Sequence, residues 1–75
     1  MRVDWHDYII STPEVLHGKP RLNGTRLSVS LILGFLAAGY SVEDIMKEYP
    51  GIKPAQVAAC LDYARDLAEF VVEAS

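Results

Sequence analysis

The hydrophobic and polar positions divide the 75-residue chain into an extended beginning and a helical remainder. Tyr8-Ile9-Ile10 is a β-prone run stopped by Ser11-Thr12-Pro13. After Val15-Leu16, His17-Gly18-Lys19-Pro20 reads as a turn-rich connector. In Arg21-Leu22-Asn23-Gly24-Thr25-Arg26-Leu27 the Asn-Gly pair signals a hairpin tip, a type I′ turn with positive φ at both central residues. That register turns Leu22 and Leu27 toward a core and Arg21 and Arg26 outward. From Ser28 onward the period changes. Ser28 suits an N-cap for an apolar helix over Val29–Ala38, with Gly39 as its C-cap. Apolar positions nearly surround that axis, which predicts the most buried helix of the fold, and a close helix crossing would account for Gly34 inside it. Ser41-Val42-Glu43-Asp44 fits a capping box for a second helix ended by Pro50-Gly51. Pro54 opens a third helix at its first turn, behind Lys53, a residue with no side-chain acceptor for a cap. Val57, Cys60, Leu61, Ala64, Leu67, Ala68 and Val71 form its apolar stripe, and Phe70 and Val72 give its end a second apolar face. At 1.5 Å per residue this helix is about 30 Å long, which is long for so small a domain.

The expected fold is therefore mainly α with a short N-terminal β-hairpin. Residues 1–27 form an extended hairpin segment and residues 28–75 a three-helix, homeodomain-like helix-turn-helix, all in one domain over 1–75. A chain of this size buries only about 60% of its unfolded surface and gains from a partner or a second copy.

Charge and composition narrow the chemistry. The formal net charge is −3 and the pI about 5.1, which argues against nucleic-acid binding by bulk charge alone. The charge is uneven: residues 1–39 carry net +1 and residues 40–75 net −4. One cysteine excludes an internal disulfide and a cysteine-rich zinc site. The Val29–Gly39 stretch is too short to span a membrane, and the acidic start of the chain is unlike a signal peptide, so a cytoplasmic protein is expected. His6 and His17 lack metal-ligand spacing and read as surface or capping residues; Cys60 reads as an inert core thiol. Trp5, Tyr8, Tyr40 and Tyr49 read as core or interface anchors. Asp62, Asp66, Glu69 and Glu73 read as a solvated helix face. No phosphate loop, nucleophile elbow or metal motif occurs, so neither an enzyme nor a cofactor is expected.

Two sets of residues point to partners. In a helix-turn-helix, Ala55, Gln56, Ala59, Asp62 and Tyr63 would face a DNA groove, with Gln56 matched to adenine and Lys53 to a phosphate. The same helix pair also serves simply as a packing unit. Lys19, Arg21 and Arg26 lie on or beside the hairpin. They suit forked bonds to phosphate or carboxylate, or merely keep short edge strands soluble. A homodimer is expected, held by the hairpin edges or by Leu67, Phe70 and Val71.

The segment GKPRLNGTR from Gly18 to Arg26, with the apolar Leu27–Gly39 run and SVEDIMKEYPGIKPAQVAACLDYA after it, resembles a known family. It is similar to the small prokaryotic proteins catalogued as domain of unknown function 433, also described as VapB-type or antitoxin-like. The match runs from about Ile10 to Ala64. Two positions depart from the family pattern: Ser28 stands where proline is frequent, and Lys53 where threonine often caps the last helix. The resemblance implies an antitoxin that covers a PIN-like ribonuclease toxin and helps repress its own operon by binding operator DNA. The alternative is a DNA-binding helix-turn-helix regulator without a toxin partner. Partner-binding positions are then Lys19, Arg21, Arg26, Leu67, Phe70 and Val71, and DNA-binding positions Lys53 and Gln56.

Overall fold

A computed structural model describes the backbone of residues 2–74 and the side chains of residues 2–69. A 3-10 turn at Trp5–Asp7 leads into strand β1 (Ile9–Ile10). A tight turn of left-handed residues at Leu16–Gly18 precedes β2 (Arg21–Leu22), and helices α1 (Val29–Ala37), α2 (Val42–Glu48) and α3 (Pro54–Ala74) follow. The mainly helical fold with a small N-terminal sheet is thus the one its sequence predicts.

The sheet differs in detail from a simple hairpin. β1 and β2 pair antiparallel, with Ile9 opposite Leu22 and Ile10 opposite Arg21. On its other side β2 meets the returning chain, where Arg21 bridges to Ser28 and the Leu22 N–H donates to the Leu27 carbonyl at 2.9 Å. The Asn23-Gly24 tip is not the type I′ turn expected. The Thr25 N–H donates to the Leu22 carbonyl at 3.1 Å, and only Gly24 takes a positive φ, +81°. That places the left-handed residue third in the turn, as in type II. The Thr25 hydroxyl explains the preference: it donates to the Leu22 carbonyl and accepts from Leu27 N–H, closing a wider four-residue loop. Upstream, Leu16, His17 and Gly18 all have positive φ, between 53° and 81°. Such a left-handed turn costs L-residues roughly 1–2 kcal/mol each, and it delivers Lys19 to the surface.

The helix ends follow local chemistry. Ser28 Oγ accepts from Leu31 N–H at 3.1 Å, and Ser41 and Asp44 form a reciprocal capping box. That box holds the Asp44 carboxyl below its usual range, chiefly through the Ser41 backbone N–H. α1 ends in a Schellman motif: Tyr40 N–H reaches the Phe35 carbonyl, Gly39 N–H the Leu36 carbonyl, and the Phe35 and Tyr40 rings lie 4.9 Å apart. At α3, Gln56 supplies the acceptor Lys53 lacks. Its Oε1 takes the Lys53 backbone N–H at 2.7 Å.

Ile9, Leu22, Val29, Ile32, Ile45, Ile52, Val57, Ala59 and Cys60 make the core, and no polar residue among those described is buried with them. Both strands and all three helices contribute to it, so strands and helices stabilise one another. The burial of α1 corrects the expectation for that helix. Only Val29 and Ile32 are fully enclosed, and Leu31 is 38% exposed. The first turns of α3, with Val57, Ala59 and Cys60, are the better-buried ones. The helix crossing expected at Gly34 is also absent within the chain, since a Cβ built there meets nothing within 4 Å.

Candidate binding site on the third helix

α3 is packed against α1 and the N-terminal turn. Two large apolar side chains at the edges of its stripe are nonetheless uncovered: Leu61 is 50% exposed and Leu67 52%. At about 31 Å the helix spans most of the longest dimension of the molecule, 38 Å. Its expected contacts Phe70 and Val71, and the acid Glu73, lie outside the described side chains.

The N-terminal arm defines one wall of a site beside this stripe. Trp5 straps the arm to α3. Its backbone N–H donates to Asp62 Oδ2 at 3.1 Å, and its indole N–H to Asp66 Oδ2 at 2.7 Å. The ring meets Tyr63 edge-on at 4.8 Å and stacks on His6 at 3.7 Å. Asp62 and Asp66 therefore do not belong to a purely solvated face, as their spacing had suggested. They dock the arm. Carboxylates four residues apart share one helix face, and that spacing was the sequence signal for the dock; the missing half was Trp5, 57 residues away from Asp62 in the chain.

Between the arm and α3 lies an open groove of about 1100 Å³. Val3, Ala58 and Leu61 form its apolar part, and Asp62, Arg65 and Asp66 its charged rim. Arg65 binds Asp62 at 3.0 Å, Asp66 at 3.3 Å and Glu69 at 3.2 Å. The guanidinium and the Trp5 N–H hold the Asp62 carboxyl below its usual range. Arg2 and Arg65 face Asp4, Asp62 and Asp66 around the groove, which leaves its lining only slightly negative. At the mouth, His6 and Asp4 pair at 2.7 Å with both side chains mostly exposed, a contact that adds little stability.

The same geometry relocates the residues expected to meet DNA. Ala59 is fully buried rather than outward. Tyr63 and Asp62 lie under the arm. Gln56 is half-buried, and its amide oxygen is taken by the cap of α3, which removes a bidentate match to adenine. Lys53 is exposed.

The hairpin bases also divide. Lys19 and Arg26 are exposed, and among the described residues neither enters an ion pair. Arg21, expected to point outward, is half-buried instead. Its Nη1 donates to the Thr25 carbonyl and its Nη2 to Thr12 Oγ1, both at 3.1 Å, and its Nε is buried without a partner. It clamps the turn to the segment before it. Cys60 is a core thiol as expected, with burial pushing its pKa up to about 11. Among the described residues no group of three or more His, Cys, Asp or Glu side chains is placed to hold a metal. No helix among them is long and apolar enough to cross a membrane.

The arrangement is that of a small helix-turn-helix domain whose third helix outruns its core and borders a groove with a small apolar floor and a mostly charged lining. Likeness to known proteins bears on its fold and family. The family model described as "Protein of unknown function (DUF433)" matches residues 9–64, and the chain belongs to that family. It is 31% identical over 58 residues to the uncharacterized protein y4eO of Sinorhizobium fredii (strain NBRC 101917 / NGR234), a match covering 77% of this chain and 26% of the relative. The chain thus spans about a quarter of that relative's length. The crystal structure of a DUF433 member from Anabaena variabilis ATCC 29413 superposes with a TM-score of 0.75 at 25% identity, over 87% of this chain and 64% of the other. The arm at residues 2–7 precedes the matched family segment, and Asp66 and Leu67 follow it.

Proposed function

We propose that the protein is a binding module of the antitoxin kind, which engages a PIN-like ribonuclease toxin through the uncovered stripe of α3 and the free hairpin bases. The observation that carries this reading is the exposure of Leu61 in a groove edged by Asp62 and Asp66, with Leu67 exposed on the other edge of the same helical stripe. Apolar side chains of that size beside like charges suit a protein partner with a basic border. A nuclease surface is basic where RNA enters. Arg26, with Lys19 nearby in sequence, is the free base to reach the carboxylates of a PIN-like active site by forked bonds; Arg21 is committed to its own turn. The cytoplasm is the compartment this reading requires.

Support for DNA readout is weaker. Lys53 remains a candidate phosphate contact in an operator-bound complex, but Gln56 and Ala59 are occupied elsewhere. The reading is tested by asking whether a PIN-like ribonuclease is encoded beside the chain, co-expressing the two, and scoring growth and copurification. Rescue of growth with a recoverable complex supports the antitoxin role. Growth arrest that persists despite soluble expression of both chains refutes it.

A further inference from the structure

The N-terminal arm lies on α3 without entering the core. Arg2, Asp4, His6 and Asp7 are exposed, and Val3 and Trp5 are only half-buried. Among the described residues its hydrogen bonds to α3 come from Trp5 alone, one to Asp62 and one to Asp66. Both acceptors are partly open to solvent, with side chains 21% and 42% exposed, where such bonds hold weakly. Each acid also has a second partner. Trp5 uses the Oδ2 atoms, while Arg65 holds Oδ1 of both, at 3.0 and 3.3 Å. Departure of the arm therefore leaves neither carboxylate without a charge partner. The arm is also folded within itself. Asp4 accepts from the His6 N–H and pairs with its ring, and that ring stacks on Trp5. The Asp7 and Tyr8 N–H groups close the turn onto the Asp4 and Trp5 carbonyls. The anchored part of the chain begins directly after it: the Tyr8 carbonyl accepts from Asn23 N–H at 2.8 Å, and Ile9 is buried. Every core residue lies at Ile9 or beyond, and the family match likewise starts at residue 9.

We propose that residues 2–7 form an autoinhibitory strap, which swings off α3 as a unit about Asp7 and in its closed position keeps a protein partner from Tyr63 and the adjoining acids. Segments with few buried apolar contacts open at a fraction of the cost of global unfolding. Opening bares the Tyr63 ring, which Trp5 meets edge-on at 4.8 Å. Tyr63 lies one turn before Leu67 on the same side of the helix, so the apolar surface around Leu67 lengthens by a turn. Asp62 Oδ2 and Asp66 Oδ2 become free acceptors for a partner's donors, in place of the two Trp5 N–H groups. That a protein partner uses this face rests on the function proposed above; the opening of the strap does not.

Opening is tested on the full chain by hydrogen exchange followed by NMR. The Trp5 backbone amide is expected to be protected at least tenfold less than the Cys60 amide of α3, yet more than in an unstructured chain. Occlusion is tested by titrating a PIN-like nuclease and, separately, the apolar dye bis-ANS with the wild type, Trp5→Phe and Trp5→Ala, each shown by far-UV circular dichroism to be folded. Trp5→Ala is expected to bind both roughly threefold more tightly than the wild type or better, with Trp5→Phe between them. Should Trp5→Ala fail to fold, Trp5→Phe, which keeps a ring against Tyr63, carries the comparison. Protection of the Trp5 amide equal to that of Cys60 overturns the proposal, because the arm then opens only with the whole domain. Dye binding no stronger in the variants than in the wild type also overturns it. So does equal or weaker nuclease binding by the variants, the weaker case making the arm part of the interface. A nuclease that binds none of the three chains refutes the antitoxin reading instead, and exchange and dye binding then decide the strap by themselves.

Discussion

Trp5→Phe combined with Asp66→Ala isolates the bond that fastens the N-terminal arm to α3. Phenylalanine keeps an aromatic ring against Tyr63 but loses the indole N–H that reaches Asp66 at 2.7 Å. A hydrogen bond to a charged acceptor is worth about 1.5–3 kcal/mol. The Asp66 side chain is 42% exposed, so solvent screening reduces this to about 1 kcal/mol. The smaller ring sacrifices about 1 kcal/mol more in apolar burial. Trp5→Phe should therefore cost about 2 kcal/mol and Asp66→Ala about 1 kcal/mol. The double variant should cost about 1 kcal/mol less than their sum, because the bond is lost only once. A domain of this size has about 4–11 kcal/mol of stability, so all four proteins remain folded. Urea unfolding followed by far-UV circular dichroism measures each value without relying on the lost tryptophan. A coupling within about 0.3 kcal/mol of zero would refute the strap and reopen the α3 face it covers.

Gly24→Val should cost about 1–3 kcal/mol, read as a fall in melting temperature, because a β-branched residue is strained at φ +81° while the surrounding space is open; an unchanged melting point contradicts the turn. Cys60, with its pKa pushed up to about 11 and no exposure, should react with a thiol reagent at pH 8 only as fast as the protein opens. Rapid stoichiometric labelling of folded protein would contradict its place in the core. Acid should release the arm. Asp62 is held low by Arg65 and by the Trp5 N–H, so its contribution is complete above the ordinary carboxylate pKa of about 3.9 and is lost as pH falls through the lower folded value. Tryptophan emission should hold steady from pH 7 to about 4 and shift to the red only below that; a shift complete by pH 5 contradicts it.

Local chemistry was readable where a residue acts on its near neighbours. Ser28 and the Ser41–Asp44 pair cap the helices their positions predict, and Pro54 opens α3, because each needs only a turn of chain to make its bond. Leu22 was placed correctly in the core by alternation alone. The errors concern partners distant in sequence or choices among similar local bonds. Ala59 reads as outward from periodicity, yet α1 and the N-terminal turn pack against α3 and Ala59 is fully buried. Arg21 reads as a free base, yet Thr12 and Thr25 surround its guanidinium. Gln56 reads as a side chain with both amide atoms free, because nothing in the helical pattern shows that its oxygen caps the Lys53 N–H. For the candidate site, Leu61 and Leu67 were visible as stripe residues. Their exposure was not, since it depends on where the rest of the fold stops.

Inhibition of a PIN-like nuclease by purified protein, the partner proposed above, tests the binding-module account most directly. Ribonuclease activity is titrated with the wild type and with a Leu61→Glu/Leu67→Glu variant shown by circular dichroism to be folded. The account predicts stoichiometric loss of activity with the wild type and at least tenfold weaker inhibition by the variant. Undiminished nuclease activity in excess wild-type protein, or equal inhibition by the two, would contradict it.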